Sequence, residues 1–246
     1  MPMFSIKSPA AVAAGAVMAV ALAAPGLASA AIVVASSGPS ASAYPVGKKL
    51  DDAGAVTLRA GDTITVLDGK GTRVLRGAGT FAVSAAAGTP AKSATFAVLT
   101  MQRAAQRVRT GAVRTGVGSA PPASPNLWFI DVSKPGKRCL VKGQPVRLWR
   151  LDTAAAATYA VAPAAGGAPV AVTFPAGSGV TAWDAVKLPV TDGGRYTITS
   201  AGKPLGTVET ALLATQPTDA ESLAAALIEK GCTAQLDLLS TTMGQQ

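Results

Sequence analysis

The sequence predicts a mainly β protein: a small N-terminal β-meander unit with one helix, a C-terminal antiparallel β-sandwich, and two short helices at the end. Three observations carry this. Apolar residues alternate with Thr and Arg at a period of two over Val56–Arg59 and Thr63–Leu67, the mark of strands with one buried face. After residue 126, β-prone runs recur at about ten-residue spacing between Gly, Pro and Asp turns, as in a sandwich. Three-to-four spacing with clear stop and start signals is confined to residues 91–108 and 217–243.

Residues 1–30 read as a leader. Lys7 gives a small positive start, Ala10–Ala24 is an apolar run too short for a comfortable membrane span, and Pro25-Gly26 breaks it. Ala28-Ser29-Ala30 fits a small-x-small cleavage site, so cleavage is expected after Ala30, with an uncleaved N-terminal anchor as the alternative. Export to the periplasm or outside the cell follows, with no transmembrane span in the mature chain.

The front unit is expected over 31–115. Ala31–Ser36 is a β-branched run, Val46–Leu50 a short strand, and Asp51–Gly54 a turn. A meander follows, Val56–Arg59, Thr63–Leu67 and Thr72–Leu75, with Asp68-Gly69 and Gly71 as hairpin chemistry. Thr80–Ser84 is a fourth strand. The stretch AGDTITVLDGKGTRVLRGAGTFAV resembles the FecR-type periplasmic domain over about residues 54–84: Gly61-Asp62 before a strand, Asp68-Gly69 at a hairpin, Thr80–Val83 as a further strand. Lys70 departs from the usual Asp-Gly-Ser continuation. The resemblance implies a β-rich periplasmic module used in protein–protein signalling or surface-polymer contexts, with no catalytic residue to carry over.

A helix is expected from 91 to 108, followed by a basic stretch in which Arg103, Arg107, Arg109 and Arg114 occur with no acid. Residues 31–125 hold eleven Lys/Arg against four Asp/Glu, and residues 126–246 ten against nine. The Arg-rich segment is a candidate contact for an anionic lipid, lipopolysaccharide, a cell-wall polymer or an acidic partner protein. The preferred reading of the segment itself is a solvated helix end followed by a flexible basic linker. Nucleic acid is not expected, because export removes it and no aromatics are interleaved for base stacking. Pro121, Pro122 and Pro125 mark a linker over 116–126.

The sandwich is expected over 127–212, with strands near Leu127–Val132, Arg138–Lys142, Val146–Leu151, Thr158–Ala162, Val170–Phe174, Gly179–Trp183, Arg195–Ser200 and Gly206–Thr210. In Val146–Leu151 the third inward position falls on either Arg150 or Leu151. Leu188–Ile198 resembles the approach to a late strand of immunoglobulin-like and fibronectin-like domains, where a Tyr hydroxyl bonds back to backbone; Tyr196 takes that structural role. Residues 213–246 are expected as a helical hairpin on the sandwich. Thr218 is the expected N-cap, Glu221 completes a capping box, and Gly231 is the stop.

Cys139 and Cys232 are the two cysteines. In an oxidising compartment they are expected to bridge; two buried free thiols or a redox pair are the alternatives. The chain has no His, which removes His-based triads and most zinc sites. No cofactor and no metal are expected. Asp51-Asp52 reads as a solvated loop pair, with cation binding as the alternative; Asp62 and Asp68 read as hairpin acids; Asp184 and Asp192 cannot be placed opposite each other from sequence. Trp128, Trp149 and Trp183 read as core anchors, with a sugar-binding face as the alternative. The expectation is an exported non-enzymatic interaction or scaffold protein whose partner is another envelope protein. A binder of anionic envelope ligands is the alternative.

Overall fold

The computed structural model describes residues 30–84, 93–101 and 124–244. The fold is mainly β, with short helices. β1 (Ala30–Ser37), β2 (Lys49–Asp51), β4 (Thr63–Asp68) and β5 (Gly71–Arg76) form an antiparallel sheet in the order β2-β1-β4-β5. β3 (Ala55–Leu58) pairs with β6 (Gly79–Ala82) in a separate ribbon. The expected meander is therefore corrected: β4 and β5 form its hairpin, but β3 leaves β4 to pair with β6. Period two fixes which face a residue takes; it does not name the partner strand. The bond expected to be cut lies at the first residue of β1, where Ala30 pairs with Asp51.

Helix α1 (Ser93–Thr100) stops before the expected residue 108. Its last carbonyls are taken from outside the helix: Leu127 N donates to Leu99 O, Trp128 Nε1 to Thr100 O, and Asn126 Nδ2 to Met101 O. These donors fill the acceptors that a further turn would use. Of the expected linker, residues 124–126 are described, and Asn126 is buried; the remainder lies outside the described residues, as do Arg103, Arg107, Arg109 and Arg114.

The rear unit is a β-sandwich. One sheet has the order β11 (Val170–Phe174), β10 (Ala157–Pro163), β13 (Arg195–Ser200), β14 (Lys203–Leu213) and β8 (Gly136–Val141); the other is β12 (Val180–Ala182), β9 (Arg147–Trp149) and β7 (Phe129–Asp131). Pairing is antiparallel except for β8 with β14 and β7 with β9, which are parallel. Ile130, Leu148, Phe174, Ile198 and Val208 fill the space between the sheets.

Strands β1, β4, β8 and β14 each send side chains into two cores, and β1 and β8 show how this organises the molecule. In β1, Ala31 and Val33 enter the front core, while Ile32 and Val34 point the other way. In β8, Leu140 enters the sandwich, while Cys139 and Val141 point out of it. The two outward sets meet in one core around α2 (Ala220–Lys230) and α3 (Thr233–Gly244). α2 buries Ala220, Leu223, Ala224 and Leu227, a stripe at three-to-four spacing. The helical pair thus lies between the sandwich and the front sheet, and the front and rear units share a core.

The start of α2 corrects the expected cap. Asp219, not Thr218, has extended backbone, and its Oδ1 accepts from Ser222 N at 2.7 Å. Asp219 is one residue closer to the buried Ala220, and its carboxylate is a strong acceptor for the first-turn N–H groups. Glu221 is therefore not in a capping box. At the other end Gly231 is left-handed (φ 71°), with its N–H on Ile228 O and Cys232 N–H on Leu227 O, which closes the helix as the sequence expects.

Candidate functional site

Cys139 on β8 and Cys232 at the start of α3 are bonded, with S–S 2.02 Å, and both are fully buried. Gln235, one turn into α3, is also buried. Its Oε1 accepts from Cys139 N at 2.6 Å, and its Nε2 donates to Cys139 O at 2.8 Å and Leu127 O at 2.9 Å. The amide thus pairs with backbone of β8 that faces the helix instead of a strand. Sequence reasoning passed over this residue because a Gln on a short helix reads as solvent-facing; the signal was its place three residues after Cys232.

Beside this joint is a cavity of about 90 Å³ lined by Leu127, Phe129, Asp131, Lys134, Arg138 and Gln235, among others. Arg138 is 6 % exposed and Asp131 4 %. β8 carries Arg138 inward because RCLV is an unbroken buried run. Its Nη2 donates to Lys134 O at 2.7 Å, but its Nε is buried with no hydrogen-bond partner. Burial pushes this guanidinium below its ordinary pKa, and the charge of Asp131 opposes that shift. Asp131, at the end of β7, accepts on Oδ1 from Ser133 N at 2.9 Å and Ser133 Oγ at 2.6 Å. Its Oδ2 takes no donor among the described residues. The ion pairs among the described residues include neither Arg138 nor Asp131. Asp131, Lys134 and Arg138 therefore line one small cavity, and no ion pair joins them among the described residues.

The acids singled out from sequence are placed otherwise. Asp62 is buried; Oδ1 accepts from Ser40 N at 2.8 Å and Oδ2 from Arg59 N at 2.6 Å. Burial alone would raise its pKa, but the hydrogen bonds from Ser40 and Arg59 outweigh it and hold the carboxyl below its ordinary value. Asp68 accepts from Lys70 N and Gly71 N at the hairpin and pairs with Arg73 at 3.3 Å. Asp184 and Asp192 are not brought together: Asp184 pairs with Lys187 at 3.0 Å, and Asp192 accepts from Leu212 N at 2.7 Å. Asp51 accepts from Ala53 N in its turn. Glu221 lies against the Asp68-Gly69 turn with Oε1 buried and unpartnered; burial, then the charges of Asp219 and Asp68, raise its pKa.

Trp128, Trp149 and Trp183 are buried, so the alternative of an exposed sugar-binding face is set aside. Tyr196 is buried against Trp183; its hydroxyl donates to Pro189 O at 2.8 Å and accepts from Thr191 N at 3.1 Å. A Cβ on Gly194 would stand 2.6 Å from that hydroxyl, so the position requires Gly. Arg150 is the inward member of the Arg150/Leu151 pair: it is 5 % exposed, Leu151 52 %. Its guanidinium lies 5.1 Å from the Phe174 ring centroid and donates to Ser178 O, Ala155 O and Pro175 O. Among the described residues no group of three or more Cys, Asp or Glu is arranged to hold a metal ion, and no helix is long and apolar enough to cross a membrane.

Comparisons with protein-family models, curated proteins and solved structures returned no match for this chain.

Proposed function

We propose that this chain is an exported, non-enzymatic interaction or scaffold protein of the cell envelope, in which a FecR-like β-module and an Ig-like sandwich are held as one body. The observation that carries this reading is how the acids are used. Asp51, Asp62, Asp68, Asp184 and Asp192 each accept backbone N–H groups in turns or between segments, which is work of shape rather than of proton transfer. The buried disulfide supports an oxidising compartment, and the shared core around α2 and α3 supports a rigid body presenting fixed surfaces. Removal of the leader after Ala30 would leave β1 starting at Ala31.

Affinity capture of the disulfide-bonded chain from an envelope extract tests this. The expected result is one envelope protein recovered in near-stoichiometric amount, with the captured chain lacking residues 1–30 by intact mass. Recovery in the cytoplasm, or repeated capture of no protein, would overturn it. A second reading is favoured by the four arginines and no acid across 103–114: salt-sensitive binding to anionic envelope material. Anionic vesicles should then retain the chain at low salt and lose the variant with Arg103, Arg107, Arg109 and Arg114 replaced by Ser. Equal retention of both proteins would rule that reading out.

A further inference from the structure

β1 begins at the bond where the leader is expected to be cut, and no spacer separates the two. Ala30, Ala31 and Ile32 pair with Asp51, Leu50 and Lys49 of β2. From Ile32 onward β1 also pairs with β4, starting at Leu67. β1 is thus an inner strand of the front sheet, paired on both edges almost from its first residue. Its two faces are closed as well. Ala31 and Val33 are wholly buried in the front core, while Ile32 and Val34 are buried in the core around α2 and α3. An endopeptidase takes its substrate as an extended chain, with backbone and side chains on both sides of the scissile bond free to enter a cleft. In the folded chain residues 31–34 are already taken. Offering them to a cleft means lifting β1 out of its sheet and opening two cores, and cleavage then follows the small population of that open form.

Resting on the reading of residues 1–30 as a cleaved leader, we propose that the Ala30–Ala31 bond can be hydrolysed only until the front sheet closes, so that cleavage and folding compete for the same residues. In the step the C–N bond between Ala30 and Ala31 breaks. The oxygen of one water ends on the Ala30 carbonyl carbon and its two protons on the Ala31 nitrogen, giving a carboxylate and an ammonium, with nothing oxidised or reduced. Chain order favours cutting first. β4 and α2, which complete the closure over β1, both lie later in the chain, so an emerging chain presents the bond before the residues that cover it. A chain cut in that interval folds as residues 31–246 and leaves the membrane. A chain that closes its front sheet first keeps the apolar run Ala10–Ala24 and stays with the membrane. The order of the two events, and not the Ala28-Ser29-Ala30 motif alone, decides between a released and an anchored form.

A purified leader peptidase, acting in one detergent on three substrates, tests the proposal. The substrates are the folded, disulfide-bonded chain of residues 1–246, a peptide of residues 20–40, and the full chain with Ile64→Asp. Ile64 is wholly buried in the front core, so a carboxylate there holds the sheet open and leaves the sequence around the bond unchanged. Intact mass reads the cut, and hydrogen exchange of the β1 amides reads the state of the sheet. The peptide and the Ile64→Asp chain should be cut after Ala30, and the folded chain at least tenfold more slowly than the peptide. A folded chain cut less than tenfold more slowly overturns the proposal and leaves the leader reading standing. A peptide that is not cut after Ala30 removes the leader reading and the proposal with it. An Ile64→Asp chain whose β1 amides exchange freely, yet which is cut as slowly as the folded parent, also overturns the proposal, because something other than the sheet would then shield the bond. Should Ile64→Asp keep β1 protected, the peptide and the folded chain decide alone.

Discussion

Arg150 and Arg138 are two buried arginines of the same sandwich with different degrees of satisfaction. Arg150 lies on the Phe174 ring and gives hydrogen bonds to three carbonyls, from loops 151–156 and 175–179. Arg138 gives one, to Lys134 O, and keeps a buried Nε without a partner. Both are almost wholly enclosed, at 5 % and 6 % exposure, so burial alone does not separate a structural arginine from one with unused capacity. The count of filled donors does. Arg150 is a plug that closes two loops; Arg138 is a wall of a cavity.

Two acids show the same contrast. Asp62 has both oxygens filled by backbone N–H groups, whereas Glu221, on α2, keeps a buried, unpartnered Oε1 against the β4–β5 turn. In each pair one charged residue completes the fold and the other retains unmet bonding capacity.

Removing the disulfide should have the largest effect. Cys139→Ala with Cys232→Ala frees a loop with sequence separation 93. It should cost about 4 kcal/mol in urea denaturation. Arg150→Met comes next, at about 3 kcal/mol, since three carbonyls lose their charged donor. If Arg150→Met cost no more than Arg138→Met, the separation of plug from wall would be broken. Gln235→Leu removes three hydrogen bonds to Cys139 and Leu127 and should cost about 2 kcal/mol by the same measurement.

The smallest expected effects are in pH. Asp62 has a carboxyl held below its ordinary 3.8, so it contributes stability above that value, and the contribution is lost as pH falls through the lower folded value. Glu221 has the opposite sign. Its carboxyl is raised above 4.5, so its contribution is full below that value and is lost as pH rises through the higher folded value. The urea midpoint should therefore rise from neutral to mildly acid pH and fall below about pH 4. Glu221→Gln should flatten the first slope, and Asp62→Asn should reduce the second, which Asp184 and Asp219 share because their carboxyls are also held low. An unchanged profile in either variant would contradict its assignment.

Strands were legible because a buried face imposes period two, and Val170–Phe174 and Arg195–Ser200 are found at the expected bounds. The hairpin acids were legible too, since an Asp before Gly makes the same local bond wherever it stands. What escaped was non-local. The β3–β6 ribbon needs knowledge of which edges meet. The end of α1 is set by Asn126, Leu127 and Trp128, 25 to 28 residues further along the chain. Thr218 and Asp219 were both acceptable caps, and burial of Ala220 decides between them. Arg138 and Asp131 carried no motif, because six residues of intervening chain say nothing of a shared cavity. The available hint was the run Cys139-Leu140-Val141, too apolar for a strand with a wet face, which implied that Arg138 would be drawn inside with it.

Thermal unfolding of the parent chain, Arg138→Met and Arg150→Met tests the central claim most directly. Met supplies the volume of the arginine stem without its charge, and replacing an incompletely paired buried charge in this way costs little. The account predicts that Arg138→Met unfolds within a few degrees of the parent and that Arg150→Met unfolds well below it. A drop in Tm for Arg138→Met as large as that for Arg150→Met would make Arg138 a structural plug like Arg150 and contradict the account.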